Sequence, residues 1–176
     1  MPKSRSASRT AQPPDETPSP AVDKRALIQL IVAEISRDLH TLLTAAKASH
    51  AEASHEQNKP ENKYDTRALE ASYLARGQSR KVADLENAKQ EYESLTLLEF
   101  PAQGAIDVGA LIALEHDHHE SVYFIGPKAG GIEIVHAGRT VTVITPNSPI
   151  GQQLMGKKAG ESIALPGRQF RIVRVG

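Results

Sequence analysis

The sequence is short of the residues that support redox chemistry and broad aromatic surfaces. It has no cysteine and no tryptophan, and its aromatic residues are four tyrosines and three phenylalanines. The absence of cysteine excludes a disulfide scaffold, a thiol nucleophile and a zinc or iron–sulfur site built on cysteine. No apolar run approaches the roughly 20 residues that a transmembrane helix needs. A cytoplasmic protein without a membrane anchor is therefore the simplest expectation.

Neither sign of charge dominates, because 21 lysines and arginines are balanced by 21 aspartates and glutamates. A protein that holds nucleic acid across a broad face needs an excess of basic side chains to contact the phosphates. The balance therefore favours a protein as the partner, with nucleic acid contacted only indirectly.

The first 22 residues differ in composition from the rest of the chain. They are rich in serine, proline and arginine and contain no hydrophobic core, so they do not read as a secretory signal. Such a segment cannot bury enough apolar surface to offset the entropy that is lost on ordering. We predict a disordered tail over residues 1–22, and the remaining length allows one ordinary domain or two small ones.

Residues 23–95 carry the three-and-four spacing of apolar residues that is typical of amphipathic helices. Asp23 is placed to cap the first helix, which should run through Ala53, and the second helix should begin near Pro60. The two apolar stripes consist of Leu27, Ile28, Ile31, Ile35, Leu39, Leu42 and Leu43, and of Ala68, Ala71, Leu74, Val82, Leu85, Ala88, Tyr92 and Leu95.

The breaker HEQNKPEN separates these two helices. Two narrow apolar stripes of similar length, joined by a turn, pack best against each other as an antiparallel coiled coil. We predict a helical hairpin with its tip near residues 56–62. With little besides its partner helix to bury itself against, the hairpin should project from the body of the protein.

From about residue 96 to residue 176 the apolar pattern changes to the alternation of β-strands. Short β-branched runs such as TVTVITP and RQFRIVRV are bounded by glycine, proline and histidine, and HDHH at 116–119 reads as a hairpin loop. One short helix is predicted over Ser148 to Met155. The predicted fold class is α+β: a coiled-coil hairpin followed by a small antiparallel β-sheet domain with a short helix.

The segment SPIGQQLMGKKAGESI, residues 148–163, carries the most specific pattern in the chain. Ser-Pro opens a helical turn, Gly156 ends it, and Gly160 makes the next turn. The segment resembles the SP-x-G-x-x-L-x-G-x-x-x-G-[DE] signature of the Gre-type transcription elongation factors. The resemblance implies an FKBP-like C-terminal domain that docks on RNA polymerase. The candidate polymerase contacts are Ser148, Pro149, Gly151, Leu154 and Gly156, and the alternative is a turn that only holds the domain together.

The same resemblance concerns the hairpin tip, where Gre factors carry G-D-x-x-E-N. Glu61 and Asn62 match the end of that motif, whereas Asn58 stands where the family has aspartate. The resemblance implies that tip carboxylates help to hold a Mg²⁺ ion at the active site of the polymerase, which then cleaves backtracked RNA. Asp65 or Glu56 could supply a second carboxylate beside Glu61. The remaining tip residues are Lys59, Pro60 and Tyr64.

A structural explanation covers the same tip residues. Asn58 and Glu61 have the spacing of a capping box, in which each side chain bonds a backbone amide of the other. Asparagine caps a helix as well as aspartate does but lacks its charge. Metal recruitment by this tip should therefore be weaker than in the family.

The resemblance leaves two functions open, and a coiled-coil adaptor or chaperone unrelated to the polymerase is a third, more distant alternative. In the first, the chain binds RNA polymerase, inserts its tip into the secondary channel and stimulates cleavage of backtracked RNA. In the second, it binds the channel without stimulating cleavage and competes with true cleavage factors. In both, the chain is an accessory protein rather than an enzyme and a monomer when free. It has no cofactor of its own, and Mg²⁺ is shared with the polymerase.

His116, Asp117, His118 and His119 are a further candidate site, because their side chains suit zinc or nickel. Four adjacent residues on a hairpin loop cannot converge on one tetrahedral centre without strain. A solvated turn is therefore the favoured interpretation of this loop.

Overall fold

The computed structural model describes residues 22–53, 66–101 and 103–176, and for residues 49–53, 66–73 and 75 it describes the backbone only. Two long helices come first, α1 at Lys24–Ala53 and α2 at Thr66–Glu93. Six strands and one short helix follow them, so the fold class is α+β as the sequence predicts. The predicted tail lies outside the described residues apart from its last residue.

The six strands form a single sheet in the order β3-β4-β2-β1-β6-β5. Helix α3, Pro149–Leu154, lies between β4 and β5 in the chain. All six strands coincide with runs that the sequence marks by alternation or by β-branched residues. Their bounds are β1 Leu111–His116, β2 His119–Ile125, β3 Glu133–His136, β4 Arg139–Ile144, β5 Ser162–Leu165 and β6 Arg168–Val175.

The sheet is mixed, whereas the sequence predicts a purely antiparallel one. Strands β2 and β4 pair in parallel, with Val122 opposite Val141, and the other four pairings are antiparallel. Strand β3 does not pair with β2 but lies two strand positions away from it, which leaves room for one strand between them. The tight β3–β4 hairpin then returns β4 into the gap, where it runs in the same direction as β2. Strand spacing in the sequence carries no information about this choice of neighbour.

Helix α1 begins where the sequence places its cap. The Asp23 carboxylate accepts a hydrogen bond from the backbone N–H of Arg25 at 2.9 Å. The Asp23 carbonyl accepts from the N–H of Leu27, also at 2.9 Å. The Arg25 amide is one of those that a helix leaves unpaired at its start, whereas the bond from Leu27 is the first regular bond of the helix. Asp23 thus supplies both the side-chain cap and the first helical carbonyl, which confirms the predicted N-cap.

The hairpin is packed against the sheet at one end, which corrects the expectation that it has little besides its partner helix to pack against. Leu27, Ile31 and Ile35 of α1 and Ala88 and Tyr92 of α2 are almost completely buried. They form one core with side chains from one face of the sheet, because an apolar sheet face has to be covered by another layer. The sheet residues of this core are Val122, Phe124, Ile134, Val141 and Val143.

The opposite face of the sheet has a separate core. Side chains that alternate with those of the first face, such as Ile125 beside Phe124 and Ile144 beside Val143, point into it. Helix α3 closes this core with Leu154, which has no exposed surface. The sheet therefore has one face covered by the hairpin and the other by α3 and neighbouring loops.

Two leucines of the predicted coiled-coil stripes are exposed. Leu43 retains 40% of its surface and Leu74 retains 65%. The polar residue Gln78 lies half-buried instead, in register with Val82 and Leu85. Gln78, Val82 and Leu85 follow the alternating four- and three-residue steps of a coiled-coil seam. The next step towards the N-terminus is three residues and leads to position 75. Leu74 lies four residues before Gln78 and therefore falls beside the seam.

Within the described residues, no helix combines the length and the apolar character needed to cross a membrane.

Candidate functional site

The segment Ser148–Glu161 is built as a fixed turn of chain around α3. Ser148 has extended backbone angles (φ −69°, ψ 153°), and its Oγ accepts a hydrogen bond from the N–H of Gly151 at 3.1 Å. The same hydroxyl donates to the carbonyl of Thr145 at 2.7 Å. Pro149 follows at the first helical position, where its missing N–H has no helical partner to lose. Ser148 is therefore the N-cap that the sequence predicts.

Gly151 is required by a close approach of two backbone segments. A Cβ atom at this position would contact the carbonyl oxygen of Thr145 and would lie 2.9 Å from the carbonyl carbon of Thr145 and from Ser148 Oγ. Only glycine fits there without displacing the chain. The residues of the SP-x-G spacing thus act together. The serine caps the turn, and the absence of a side chain at the glycine leaves room for the backbone that follows β4.

The next two glycines of the segment adopt left-handed backbone angles, with φ at +78° for Gly156 and +89° for Gly160. The Gly156 N–H donates a hydrogen bond to the carbonyl of Ile106 at 2.9 Å, and the Gly160 N–H donates to the carbonyl of Ile172 at 2.8 Å. These bonds tie the segment to a loop and to β6. Both residues end a local turn, as the sequence predicts, because glycine adopts this conformation at little cost.

The acidic residue at the end of the segment closes the second turn. The Glu161 carboxylate accepts hydrogen bonds from the backbone N–H of Lys158 at 2.6 Å and from Lys157 Nζ at 3.3 Å. The Lys158 amide, and after it the Lys157 side chain, lower the pKa of Glu161 from its usual value. Together with the serine and the glycines, Glu161 gives every polar or glycine position of the signature a structural role.

The segment still presents a surface to solvent. Pro149, Gln152, Gln153 and Lys157 border a shallow depression on the outer side of α3. Leu154 and Gly151 are buried beneath it and offer no side-chain surface to a partner. The polymerase contact assigned to Ser148, Pro149, Gly151, Leu154 and Gly156 stays a prediction. If this contact forms, the buried members support the surface rather than touch the partner.

The predicted tip of the hairpin falls between the two described helices, since α1 ends at Ala53 and α2 begins at Thr66. The tip residues themselves lie outside the described part of the chain, and their predicted roles stay predictions. These residues are Glu56, Asn58, Lys59, Pro60, Glu61, Asn62, Tyr64 and Asp65.

The histidine loop forms a tight hairpin between β1 and β2. Asp117 and His118 have φ values of +47° and +62°, which suit a two-residue turn with both residues in the left-handed region. His116 Nδ1 lies 2.8 Å from the carbonyl oxygen of Gln169, and its ring is 5.0 Å from that of Phe170. Among the described residues, no group of three potential ligands is arranged to hold a metal ion.

A contact that the sequence does not reveal anchors the second helix to the sheet domain. The Tyr92 hydroxyl donates a hydrogen bond to the carbonyl of Lys128 at 2.9 Å, and burial raises the pKa of this phenol. The ring lies directly against Gly126, whose lack of a side chain makes room for it. Helical spacing places Tyr92 on the apolar stripe, but spacing alone does not indicate a polar partner 36 residues away.

A second anchor connects the start of α1 with the chain that leaves α2. Lys24 Nζ donates to the carbonyl of Leu98 at 3.0 Å and lies 4.7 Å from the centre of the Phe100 ring. Partial burial lowers the pKa of Lys24, although the nearby Glu99 acts in the opposite direction. The end of α2 is therefore attached directly to the sheet domain, and the start of α1 is attached to the segment that leads into it.

Replacing Ser148 by alanine should destabilise the protein by about 1 kcal/mol, since the variant loses the cap of α3. The free energy of unfolding, taken from urea titrations, measures the loss. Ser148→Thr is the matched variant, because its hydroxyl can accept from the Gly151 N–H and donate to the Thr145 carbonyl, and it should keep most of the stability. Equal losses for both variants would contradict the capping role.

The sequence matches no protein-family model and none of the curated proteins with which it was compared. It is similar to the crystal structure of GreA factor homolog 1 (Gfh1) of Thermus thermophilus, with 15% identity and a TM-score of 0.35 over 86% of this chain and 93% of that one. The Gfh1 structure of Thermus aquaticus gives 18% identity and a TM-score of 0.35, again over 86% and 93% of the two chains. Similarity at this level does not assign a function to the chain.

Proposed function

We propose that this protein is a Gre-like accessory factor of transcription that binds RNA polymerase and places its hairpin tip in the secondary channel. The observation that supports the proposal is the joint presence of two parts. A helical hairpin of two long helices precedes a sheet domain, and that domain contains the fully built SP-x-G segment. Each serine, glycine and glutamate of the signature caps, shapes or closes a turn of this segment.

The length of the hairpin suits the task. Helix α1 has 30 residues and α2 has 28. At about 1.5 Å per residue, each helix is about 40–45 Å long. A partner could bind the surface of the sheet domain. The hairpin tip would then contact the same partner several nanometres further inside it.

The chemistry in this proposal belongs to the polymerase. Glu61 supplies a carboxylate to a Mg²⁺ ion shared with the polymerase active site, and Asp65 or Glu56 supplies the second one. Hard cations such as Mg²⁺ prefer anionic oxygen ligands, and such ions promote phosphodiester hydrolysis by orienting water and neutralising charge. The chain is then a donor of ligands and not itself an enzyme.

A second candidate function is favoured by one residue. Asn58 stands at the position where the Gre tip has aspartate, and its amide oxygen brings no negative charge. A factor of this kind would occupy the channel without recruiting the metal ion. It would then inhibit authentic cleavage factors by competition.

A transcript-cleavage assay on stalled, backtracked bacterial RNA polymerase separates the two functions. For the first function, we expect shortened RNA that Glu61→Ala reduces at least about tenfold, because the variant loses an ionic metal ligand. Glu86→Ala is the matched control, since Glu86 is an exposed acid on α2 far from the tip in sequence. That control should leave cleavage unchanged.

Asn58→Asp is the complementary variant, because it restores the charge that the family has at the tip. It should raise cleavage if the tip reaches the active site. Binding without cleavage, together with inhibition of a true cleavage factor, would support the second function and contradict the first. A protein that does not bind the polymerase at all would refute both.

A further inference from the structure

The buried side chains of the hairpin are confined to the end that packs on the sheet. We use the name proximal section for residues 24–35 and 85–93, which contain all the helical residues of the core between hairpin and sheet. The name distal section denotes residues 36–48 and 74–84. Among the described side chains of the distal section, none is buried to the extent of Leu27 or Tyr92.

The seam that joins the two helices in the distal section contains little apolar volume. The described half-buried residues of this section are Ser36, Leu39, Leu42 and Ala46 from α1 and Gln78 and Val82 from α2. Alanine contributes a single methyl group, and a polar side chain at a seam position lowers the stability of a coiled coil.

An open depression lies along this part of the seam. A depression of about 420 Å³ lies between the helices, lined by Leu42, Leu74, Gly77, Gln78 and Lys81. Leu74 stands at its border with most of its surface in solvent. Apolar surface at this depression stays in contact with water, so it does not contribute the free energy that its burial in a filled seam would give.

Helix α2 also carries its single described interior glycine at this cleft. Gly77 is exposed, and a Cβ atom added to it would meet no other atom within 4 Å. Glycine is the least favourable helical residue after proline, because its backbone loses the most freedom on folding. Neither packing nor backbone geometry requires a glycine here, so its effect is to weaken the helix.

From these four features we infer that the hairpin consists of two sections that differ in stability. Its distal section opens and closes separately while the proximal section and the sheet stay folded. Segments with few buried apolar contacts open at a lower free-energy cost than the core to which they are attached. Opening of this kind would change the position of the hairpin tip without disturbing the sheet domain.

Hydrogen exchange of the full-length protein, followed by mass spectrometry under conditions where reclosing outpaces exchange, tests the inference. We expect amides of the distal section to be protected at least about tenfold less than those of the proximal section and the sheet. Equal protection of the two sections would overturn the inference.

Two variants make the test sharper. Gln29→Gly weakens the proximal section at an exposed position of α1, so exchange that needs global unfolding should become about threefold faster. This acceleration should appear in the proximal section and the sheet but not in the distal section. If Gln29→Gly accelerates distal amides as much as sheet amides, the hairpin opens as one unit and the inference fails.

Gly77→Ala is the reciprocal variant. It stabilises the closed distal section, so distal exchange should slow by about fivefold. Amides that exchange by global unfolding should slow to a similar extent, because global unfolding also opens the distal section. Unchanged distal exchange in Gly77→Ala would contradict the role given to this glycine.

Discussion

Replacing Gly151 by alanine should lower the free energy of unfolding by about 3 kcal/mol, because the added Cβ has no room. The atoms that it meets are the backbone carbonyl of Thr145 and the Ser148 hydroxyl. Neither can rotate away, since the first is main chain and the second is held by two hydrogen bonds. The first turn of α3 would have to separate from the end of β4. For a chain of this size we expect the melting temperature to fall by about 6–12 °C.

Urea unfolding and thermal melting measure the effect, and another glycine of the same segment provides the control. Gly156 has nothing within 4 Å of an added Cβ, and its strain comes only from its positive φ. Asparagine tolerates that conformation better than most residues, so Gly156→Asn should cost about 1 kcal/mol or less. If Gly151→Ala is as mild as Gly156→Asn, the two backbone segments are not in the close contact described.

Gly126→Ala should destabilise the protein by about 2 kcal/mol through the anchor of α2. The new methyl group would overlap the Tyr92 hydroxyl and lie 2.9 Å from Tyr92 Cζ and 3.1 Å from Val143 Cγ1. The tyrosine would have to move off its site, and its hydrogen bond to the Lys128 carbonyl would break. The hairpin base would therefore loosen on the sheet.

A double-mutant cycle with Tyr92→Phe identifies the cause of that loss. Tyr92→Phe alone removes the hydrogen bond and should cost about 1 kcal/mol. In the double variant the oxygen that collides with the new methyl is gone, so the combined loss should be smaller than the sum of the single losses. Strict additivity would show that the methyl group and the hydroxyl do not meet. Gly77→Ala, the same substitution at an open helical site, should be stabilising.

The parts of this fold that follow from local chemistry are predictable from the sequence. Asp23 and Ser148 cap helices because short polar side chains reach nearby amides, and this needs no distant partner. The strands follow from alternation and the left-handed glycines Gly156 and Gly160 from turn spacing, as the structure bears out. The parts that depend on which distant surfaces meet are not predictable in this way. The parallel pairing of β2 with β4 and the exposure of Leu74 belong to this second group.

For the candidate site the division is similar. The sequence marks Ser148, Gly151 and Glu161 as one pattern, and the structure supplies the contact that each of them makes. Those contacts show that the requirements of the fold explain each of these residues, whether or not a partner also contacts the segment. The surface left for a partner, formed by Pro149, Gln152, Gln153 and Lys157, is visible only in three dimensions.

The sequence by itself determined the two-part plan of this protein, the segments that form helices and strands, and the turn built around α3. Each of these depends on interactions between residues that are close in the chain, which periodicity and capping residues record. Only the tertiary structure decided that the hairpin base is part of the core and that its burial ends near Ile35 and Leu85. These outcomes depend on free energies of packing between segments far apart in the chain. An apolar stripe shows that a helix face will be covered, but it does not say by what.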